Sequence, residues 1–413
     1  MSLKKLGFAT LLASGALTLA SAPATAQTAP AAAAAPTKPV PVSDQVRPSL
    51  IALQTAVNAK NYAAVPGLIA AANAKAKTSN DRYLIAQMQL KAAVDQNDFS
   101  TAASAVATMR ASGAGTPAQL DQFDLAIAQS LYNAKNYAAA APVLERLTQS
   151  NPNNTDVYLV LAETRNAQGQ PAQAIATLQR AMAVRTAAGQ PVPQEWYKRG
   201  IAFAYNGKLP TASALAYDWV KAYPSTDSWR DSLRIFEQLS PASASDKLDL
   251  YRLRRAAGVL DSENEYAGYA QLATDRGLPG ETVAVINDGY AKGKINRGNA
   301  AIRSLLTSAQ GRVTTDKASL PGLETRAAAA ASGRPLLNTA DAYFGYGDYG
   351  KAATLYRRAL TKPDVDKNVA NLRLGIALAQ SGDKAGAQAA FAAVTGPTAD
   401  LAKYWQLWAN RAA

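Results

Sequence analysis

One heptapeptide occurs twice in this chain. Asn58-Ala-Lys-Asn-Tyr-Ala-Ala64 returns unchanged as Asn133-Ala-Lys-Asn-Tyr-Ala-Ala139, 75 residues later. That offset is two units of roughly 34 to 37 residues, a period at which chains stack short supersecondary units. Related turns recur between the copies and after them: Asn97-Asp98-Phe99 before Ala102, Gly207-Lys208-Leu209 before Ala212, Gly347-Asp348-Tyr349 before Ala352, and Gly382-Asp383-Lys384 before Ala387. Between the turns, alanine dominates and apolar residues fall at helical spacing. No run from Ser43 onward alternates as a strand would. The sequence therefore predicts an all-α chain of helix pairs joined by short Gly or Asn turns. A hairpin of this size cannot bury its apolar face alone, so neighbouring hairpins must stack.

The chain resembles the tetratricopeptide repeat family, whose unit of about 34 residues carries W-x2-L-G-x2-Y, then A-x3-F, then P. Segment 193–226 places Trp196, Gly200, Phe203, Ala212 and Pro224 at matching positions and departs at Arg199 and Ala216. Segment 121–154 carries Ile127, Ala128, Leu131, Ala140, Leu144 and Pro152. Segment 333–366 carries Ala340, Tyr343, Ala352 and Tyr356, with Pro363 one residue early. Segment 368–401 carries Leu374, Gly375, Leu378, Ala387 and Phe391. Weaker copies fit 46–79, 83–116, 155–188 and 263–296, while 227–262 and 297–332 fit poorly and read as degenerate hairpins. The resemblance implies a right-handed superhelical α-solenoid of stacked helix-turn-helix hairpins. Its expected parts are repeats over 46–226, degenerate hairpins over 227–332, further repeats over 333–401 and a capping helix over 402–413. Small residues (Ala128, Gly200, Ala340 and Gly375 on first helices; Ala140, Ala212, Ala352 and Ala387 on second helices) should mark close helix approach. Turn Gly or Asn should take the left-handed backbone that closes a helix. Pro171, Pro210 and Pro279 should begin the helices that follow. Tyr62, Phe99, Tyr137 and Tyr349 should pack under their hairpins.

The first 26 residues read as a secretory signal: Lys4 and Lys5, an apolar run from Leu6 to Ala20, then Ala24-Thr25-Ala26. Cleavage after Ala26 and a periplasmic chain are the expectation; a retained N-terminal anchor is the alternative. Residues 27–45, rich in Ala and Pro, read as a flexible tether. No later stretch is long and apolar enough for a membrane span. The formal charge is +13, which favours anionic neighbours; for an exported chain nucleic acid is a poor candidate.

Histidine and cysteine are both absent. Nucleophile systems that rely on His, the usual zinc sites, and haem or iron–sulfur ligation that draws on His or Cys are thereby excluded. No catalytic residue, metal or cofactor is expected. Carboxylate pairs that could serve a glycosidase occur, such as Asp261 with Glu263 and Glu265. They stand at a helix start, where negative charge is favoured for dipole reasons alone.

Family members often grip extended peptides on the concave side, lined by first helices. The matching positions here are Gln54, Asn58, Lys91, Gln129, Asn133, Glu163 and Asn166. Amides both donate and accept, so a row of them suits a peptide backbone; the plainer reading is a solvated polar face. The family's clamp for a C-terminal carboxylate is not in phase, with Leu50 where its first Lys would stand. From 292 to 312 the chain holds Lys292, Lys294, Arg297, Arg303 and Arg312 and no acid. This run is a candidate patch for an anionic partner or an ordinary solvated face. The expected function is a non-enzymatic periplasmic scaffold that holds a protein or peptide in the trough and supports envelope assembly, division or secretion. A solenoid that binds peptidoglycan or acidic polysaccharide, a lipid-surface contact, or a subunit of an exopolysaccharide exporter are the alternatives.

Overall fold

A computed structural model of the chain describes residues 41–240 and 244–411. The expected signal segment, the tether up to residue 40 and the last two residues lie outside them. Among the described residues there are twenty α-helices and no strand. They fall into two compact units, 1–196 and 197–413.

The first unit stacks four hairpins: α1 (Arg47–Asn58) with α2 (Val65–Lys75), α3 (Ser79–Asp95) with α4 (Phe99–Ser112), α5 (Pro117–Asn133) with α6 (Tyr137–Ser150), and α7 (Thr155–Ala167) with α8 (Pro171–Ala187). Helix α9 (Gln194–Asn206) crosses into the second unit. That unit continues with α10 (Thr211–Ala222), α11 (Thr226–Leu239), α12 (Ala244–Ala256), α13 (Glu263–Asp275), α14 (Pro279–Ala291), α15 (Ala300–Ala329), α16 (Arg334–Gly345), α17 (Tyr349–Leu360), α18 (Lys367–Gln380), α19 (Lys384–Ala392) and α20 (Ala399–Ala409).

The small residues stand where the repeat requires them. Ala128, Ala140, Ala212, Ala340, Ala352 and Ala387 are all fully buried. At Gly375 a Cβ would lie 2.5 Å from the Phe391 ring, so the two helices of that hairpin meet at a point with room only for hydrogen. The turns follow a common scheme: one left-handed residue, then a side chain that caps the next helix. Asn97, Gly347 and Gly382 take positive φ as expected, and Asp98, Asp348 and Asp383 accept the N–H groups of Thr101, Lys351 and Gly386.

In the duplicated heptapeptide, however, the left-handed residues are Lys60 and Lys135 rather than an asparagine, and in the turn at 207–209 it is Lys208 rather than Gly207. Asn136 is free to cap α6 through Ala139. The first copy starts its second helix later, at Val65. Pro66 lacks the N–H that would bond back to Tyr62, whereas the second copy has Ala141 in that place. Pro171 and Pro279 begin their helices; Pro210 sits one residue earlier, at the cap of α10.

Three boundaries differ from expectation. The tether expected through residue 45 is docked from Pro41. Ser43 donates through its N–H and hydroxyl to Asp81 at 3.0 and 2.8 Å, and Asn80 bonds the Pro41 carbonyl. The expected hairpin over 297–332 is one continuous helix of 30 residues, α15. Pro321-Gly322 resembles a turn signal, but neither Gly311 nor Gly322 takes a left-handed backbone. Ile302, Leu306, Ala309, Val313, Leu320, Leu323 and Ala327 carry one apolar stripe through it, with alternate steps of four and three residues interrupted only at Asp316.

The last helix, α20, is no solvent-facing cap. Trp405 and Tyr404 are 0 and 1 % exposed. Tyr404 packs on Tyr217, Trp229 and Phe236 with ring centroids 5.2 to 6.3 Å apart. Trp405 donates to the Asp249 carbonyl at 3.2 Å, 156 residues away in sequence. Aromatic residues at a terminal amphipathic helix bury far more free energy in a core than on a cap, and here α10, α11 and α12 supply that core. The second unit therefore closes on itself, with Tyr404 and Trp405 sealed inside it and Trp408 half-buried.

Candidate functional site

The expected trough positions lie on the first helices of the first unit. Gln54 and Gln129 occupy equivalent places on α1 and α5 and are half-buried; Asn58 and Asn133 are exposed at the helix ends. None of these four amide side chains, nor that of Asn166 on α7, has a hydrogen-bond partner among the described residues. Lys91 on α3 is instead tied to Asp95 at 2.9 Å, and Glu163 is half-buried beside the amide-bearing face. Gln54 also lines a shallow apolar groove with Leu50, Ile51, Leu84 and Met88; Ile51 is 45 % exposed. The two kinds of residue thus separate. The amides keep free donors and acceptors, while Lys91 is spent on a local pair.

The basic run behaves differently from its sequence. Lys292 donates to Asp288 at 3.0 Å, Lys294 to Asp261 at 2.7 Å, and Arg297 stacks over the Tyr290 ring at 4.7 Å. Asp288 stands one helical turn before Lys292 on α14, and Asp261 comes from the segment before α13, 33 residues away; both fall outside a count along the run. Only Arg303 and Arg312, both on α15, remain exposed and unpaired among the described residues. The acids at the start of α13 are structural. Asp261 takes Lys294, Glu263 accepts from the N–H of Asn296 and the amide of Asn299, and Glu265 accepts from the Asp261 N–H and from Arg254.

The most unusual chemistry was not predicted. Five charged side chains meet in the core of the second unit: Asp249 and Arg252 on α12, Glu281 on α14, Asp341 on α16 and Arg373 on α18. Arg252 grips Glu281 with both prongs, at 2.8 and 2.7 Å, and bonds Asp249 at 2.8 Å. Arg373 bridges Asp249 at 3.0 Å and Asp341 at 2.7 Å. Tyr269 and Tyr356 donate to Glu281 and Asp341, each at 2.6 Å. The face of Arg252 lies over Phe344, 4.4 Å from its centroid. Three carboxylates face two guanidiniums, leaving one negative charge that the tyrosine hydroxyls help to solvate. Burial pushes the Asp249 carboxyl up against the pull of Arg373 and Arg252. Burial would raise Glu281 as well, but the charge and hydrogen bonds of Arg252 outweigh it and hold that carboxyl below its usual range. Desolvation offsets most of the attraction in such a network, whereas removing one partner leaves a buried charge uncompensated. A cleft of about 460 Å³ opens beside it, lined by Arg255, Tyr269, Gly280, Asp288, Phe344 and Tyr346 among others.

A sequence signal for this network exists. Arg373 interrupts an apolar first helix, and Asp341 follows the buried small residue Ala340; both are charges at core-periodic positions. No helix among the described residues is long and apolar enough to cross a membrane.

Two stretches of the chain match family models described as tetratricopeptide repeat, residues 131–187 and residues 337–402. The first runs from the end of α5 through α8, and the second from α16 into α20. No curated protein matches the chain. Similar solved structures include Naa15/Naa10 bound to HypK-THB, at 13 % identity over 86 % of this chain and 65 % of that one, with a TM-score of 0.32. The tetratricopeptide domain of P58(IPK) aligns at 12 % identity over 81 % of this chain and 98 % of that one, TM-score 0.22. Cut9–Hcn1 of the APC/C aligns at 12 % identity over 87 % and 66 %, TM-score 0.21. The alignment spans just under two thirds of the Naa15/Naa10 chain and of the Cut9–Hcn1 chain. With one family match in each unit, both on hairpins whose small residues are buried in phase, the chain is a tetratricopeptide repeat protein.

Proposed function

We propose that the protein is an exported, periplasmic scaffold without catalytic activity, and that its first unit holds an extended segment of a partner protein along α1, α3, α5 and α7. The observation that carries this reading is the set of unengaged amides at equivalent repeat positions, Gln54 with Gln129 and Asn58 with Asn133. A peptide backbone offers alternate N–H and C=O groups, and a carboxamide meets either without changing charge. Gln54 adds an adjacent apolar groove for a side chain of the bound segment. Support for envelope assembly, division or secretion is part of the same proposal and follows from the expected export signal.

The test is capture of partners from envelope extracts with the parent chain and with a variant that carries Gln54→Ala, Asn58→Ala, Gln129→Ala and Asn133→Ala. All four side chains lie at the surface or half-buried, so the fold should survive, as circular dichroism would show. Loss of specific partners from the variant supports the reading. An unchanged set of partners removes the amide row from it.

A further inference from the structure

Helix α15 stands where the repeat would have placed a hairpin. It packs one stripe against its neighbours and leaves the rest of its circumference uncovered, over a length of about 45 Å. Its two acids lie on the packed side and are engaged there. Asp316 accepts from Tyr346 at 2.7 Å, and Glu324 accepts from Tyr343 at 3.2 Å and pairs with Lys351 at 3.0 Å. The uncovered side carries Arg303, Arg312, Lys317 and Arg326, all exposed. None of the four makes an ion pair among the described residues, although Lys317 lies 5.8 Å from the Tyr346 ring. At about 100° per residue, Arg303 and Lys317 fall on one flank and Arg312 and Arg326 on the other, each pair about 21 Å apart along the axis. The crest between the flanks is Ser304, Gly311, Thr315, Ala318 and Gly322, all exposed. A Cβ at Gly311 would meet nothing within 4 Å, so nothing in this chain requires a glycine there.

We infer that the outer face of α15 is a docking surface for an acidic segment of a partner protein, gripped between the two rows of cations. Charge complementarity selects an acidic occupant: four uncompensated cations and no outward carboxylate. The crest selects a protein segment among acidic occupants. It offers no apolar side chain larger than the methyl of Ala318 to enter a bilayer and no aromatic ring on which a sugar could stack. This surface lies in the second unit and does not depend on the amide row of the first. It also redraws the basic run of the sequence: Arg303 and Arg312 belong with Lys317 and Arg326, while Lys292, Lys294 and Arg297 are already engaged.

The experiment measures fluorescence anisotropy of a labelled poly-glutamate peptide titrated with the full chain at low and at physiological salt. The parent is compared with a variant carrying Arg303→Glu, Arg312→Glu, Lys317→Glu and Arg326→Glu. A control of identical net charge carries Lys75→Glu, Arg180→Glu, Lys221→Glu and Arg276→Glu, exposed sites elsewhere. The expected result is binding that weakens with salt and is at least about tenfold weaker in the α15 variant, with the control close to the parent. Equal losses in both variants would reduce the effect to net charge and overturn the inference, as would a parent that does not bind. Tighter binding of anionic-lipid vesicles or of a polyuronate, lost in the same α15 variant, would overturn the choice of a protein partner.

Discussion

Arg373 is the side chain on which the interior of the second unit depends most. It joins α18 to α12 through Asp249 and to α16 through Asp341, at 3.0 and 2.7 Å. Replacing it with Met keeps much of the volume and removes the charge. Arg252 then faces three carboxylates alone, and the buried cluster goes from one uncompensated negative charge to two. Each lost attraction is worth about 4 kcal/mol at an effective dielectric constant near 20, but the guanidinium's own desolvation no longer has to be met. The balance for breaking a buried pair is about 3–5 kcal/mol, a large share of a domain's total stability. Four of the five tryptophans (Trp219, Trp229, Trp405, Trp408) lie in this unit, so their fluorescence in urea reports on it. The midpoint should fall by about 1–2 M.

The loss should also depend on pH. Burial already holds the Asp249 carboxyl above its unfolded value, and without Arg373 one of the two charges that pull it down is gone, so it rises further. Its protonated form is then tolerated, so stability is fully present below the unfolded carboxylate value near 4 and is lost as pH rises through the raised folded value. The gap between parent and variant should be smaller at pH 4.5 than at pH 8. A loss below about 1 kcal/mol, or a gap that ignores pH, would refute the account of Arg373 as the balancing charge.

Two further outcomes follow from named contacts. Gly375→Ala should destabilise the second unit by about 1–3 kcal/mol, seen as a lower melting temperature, and Phe391→Leu in the same chain should recover part of it; an unchanged melting temperature would mean that the helices do not meet at that point. Asp81 accepts from Ser43, Lys77 and Thr78, and these bonds outweigh its burial and hold its carboxyl far below the usual range. Its stabilisation is therefore present above the unfolded value and lost as pH falls below about 4. Asp81→Asn should cost about 1–3 kcal/mol at neutral pH and flatten the acid side of the profile for amide exchange in α1 to α3, and a profile identical to the parent's would contradict this.

Much of the fold was legible because repeat architecture writes itself locally. A buried alanine at each helix crossing, a left-handed turn residue and an aspartate cap all lie within one hairpin and recur with the period. The identity of the left-handed residue was not legible: Lys60 and Lys135 take that backbone between two asparagines, and only the hydrogen bonding of the turn selects them. The single helix α15 was missed because Pro321-Gly322 is a turn signal in isolation, while the apolar stripe from Ile302 to Ala327, interrupted only at Asp316, decides for a helix. The buried charge network was missed for a different reason. Asp249 and Arg373 are 124 residues apart, and their pairing follows from closure of the unit rather than from any local pattern. The same limit applies to Lys294, whose partner Asp261 lies 33 residues away, whereas the pair of Lys292 with Asp288 is one helical turn long and could have been read from the sequence.

The burial of α20 against α10, α11 and α12 bears on how the chain is made. In an open array each hairpin can settle on the one before it as soon as it emerges from the ribosome, and folding tracks synthesis. Here the inner faces around Trp229 and Phe236 wait for Tyr404, and the Asp249 carbonyl waits for Trp405. The first unit can be complete long before translation ends. The second cannot finish until α20 (Ala399–Ala409) has been made, so a chain cut short before it would lose more than that helix.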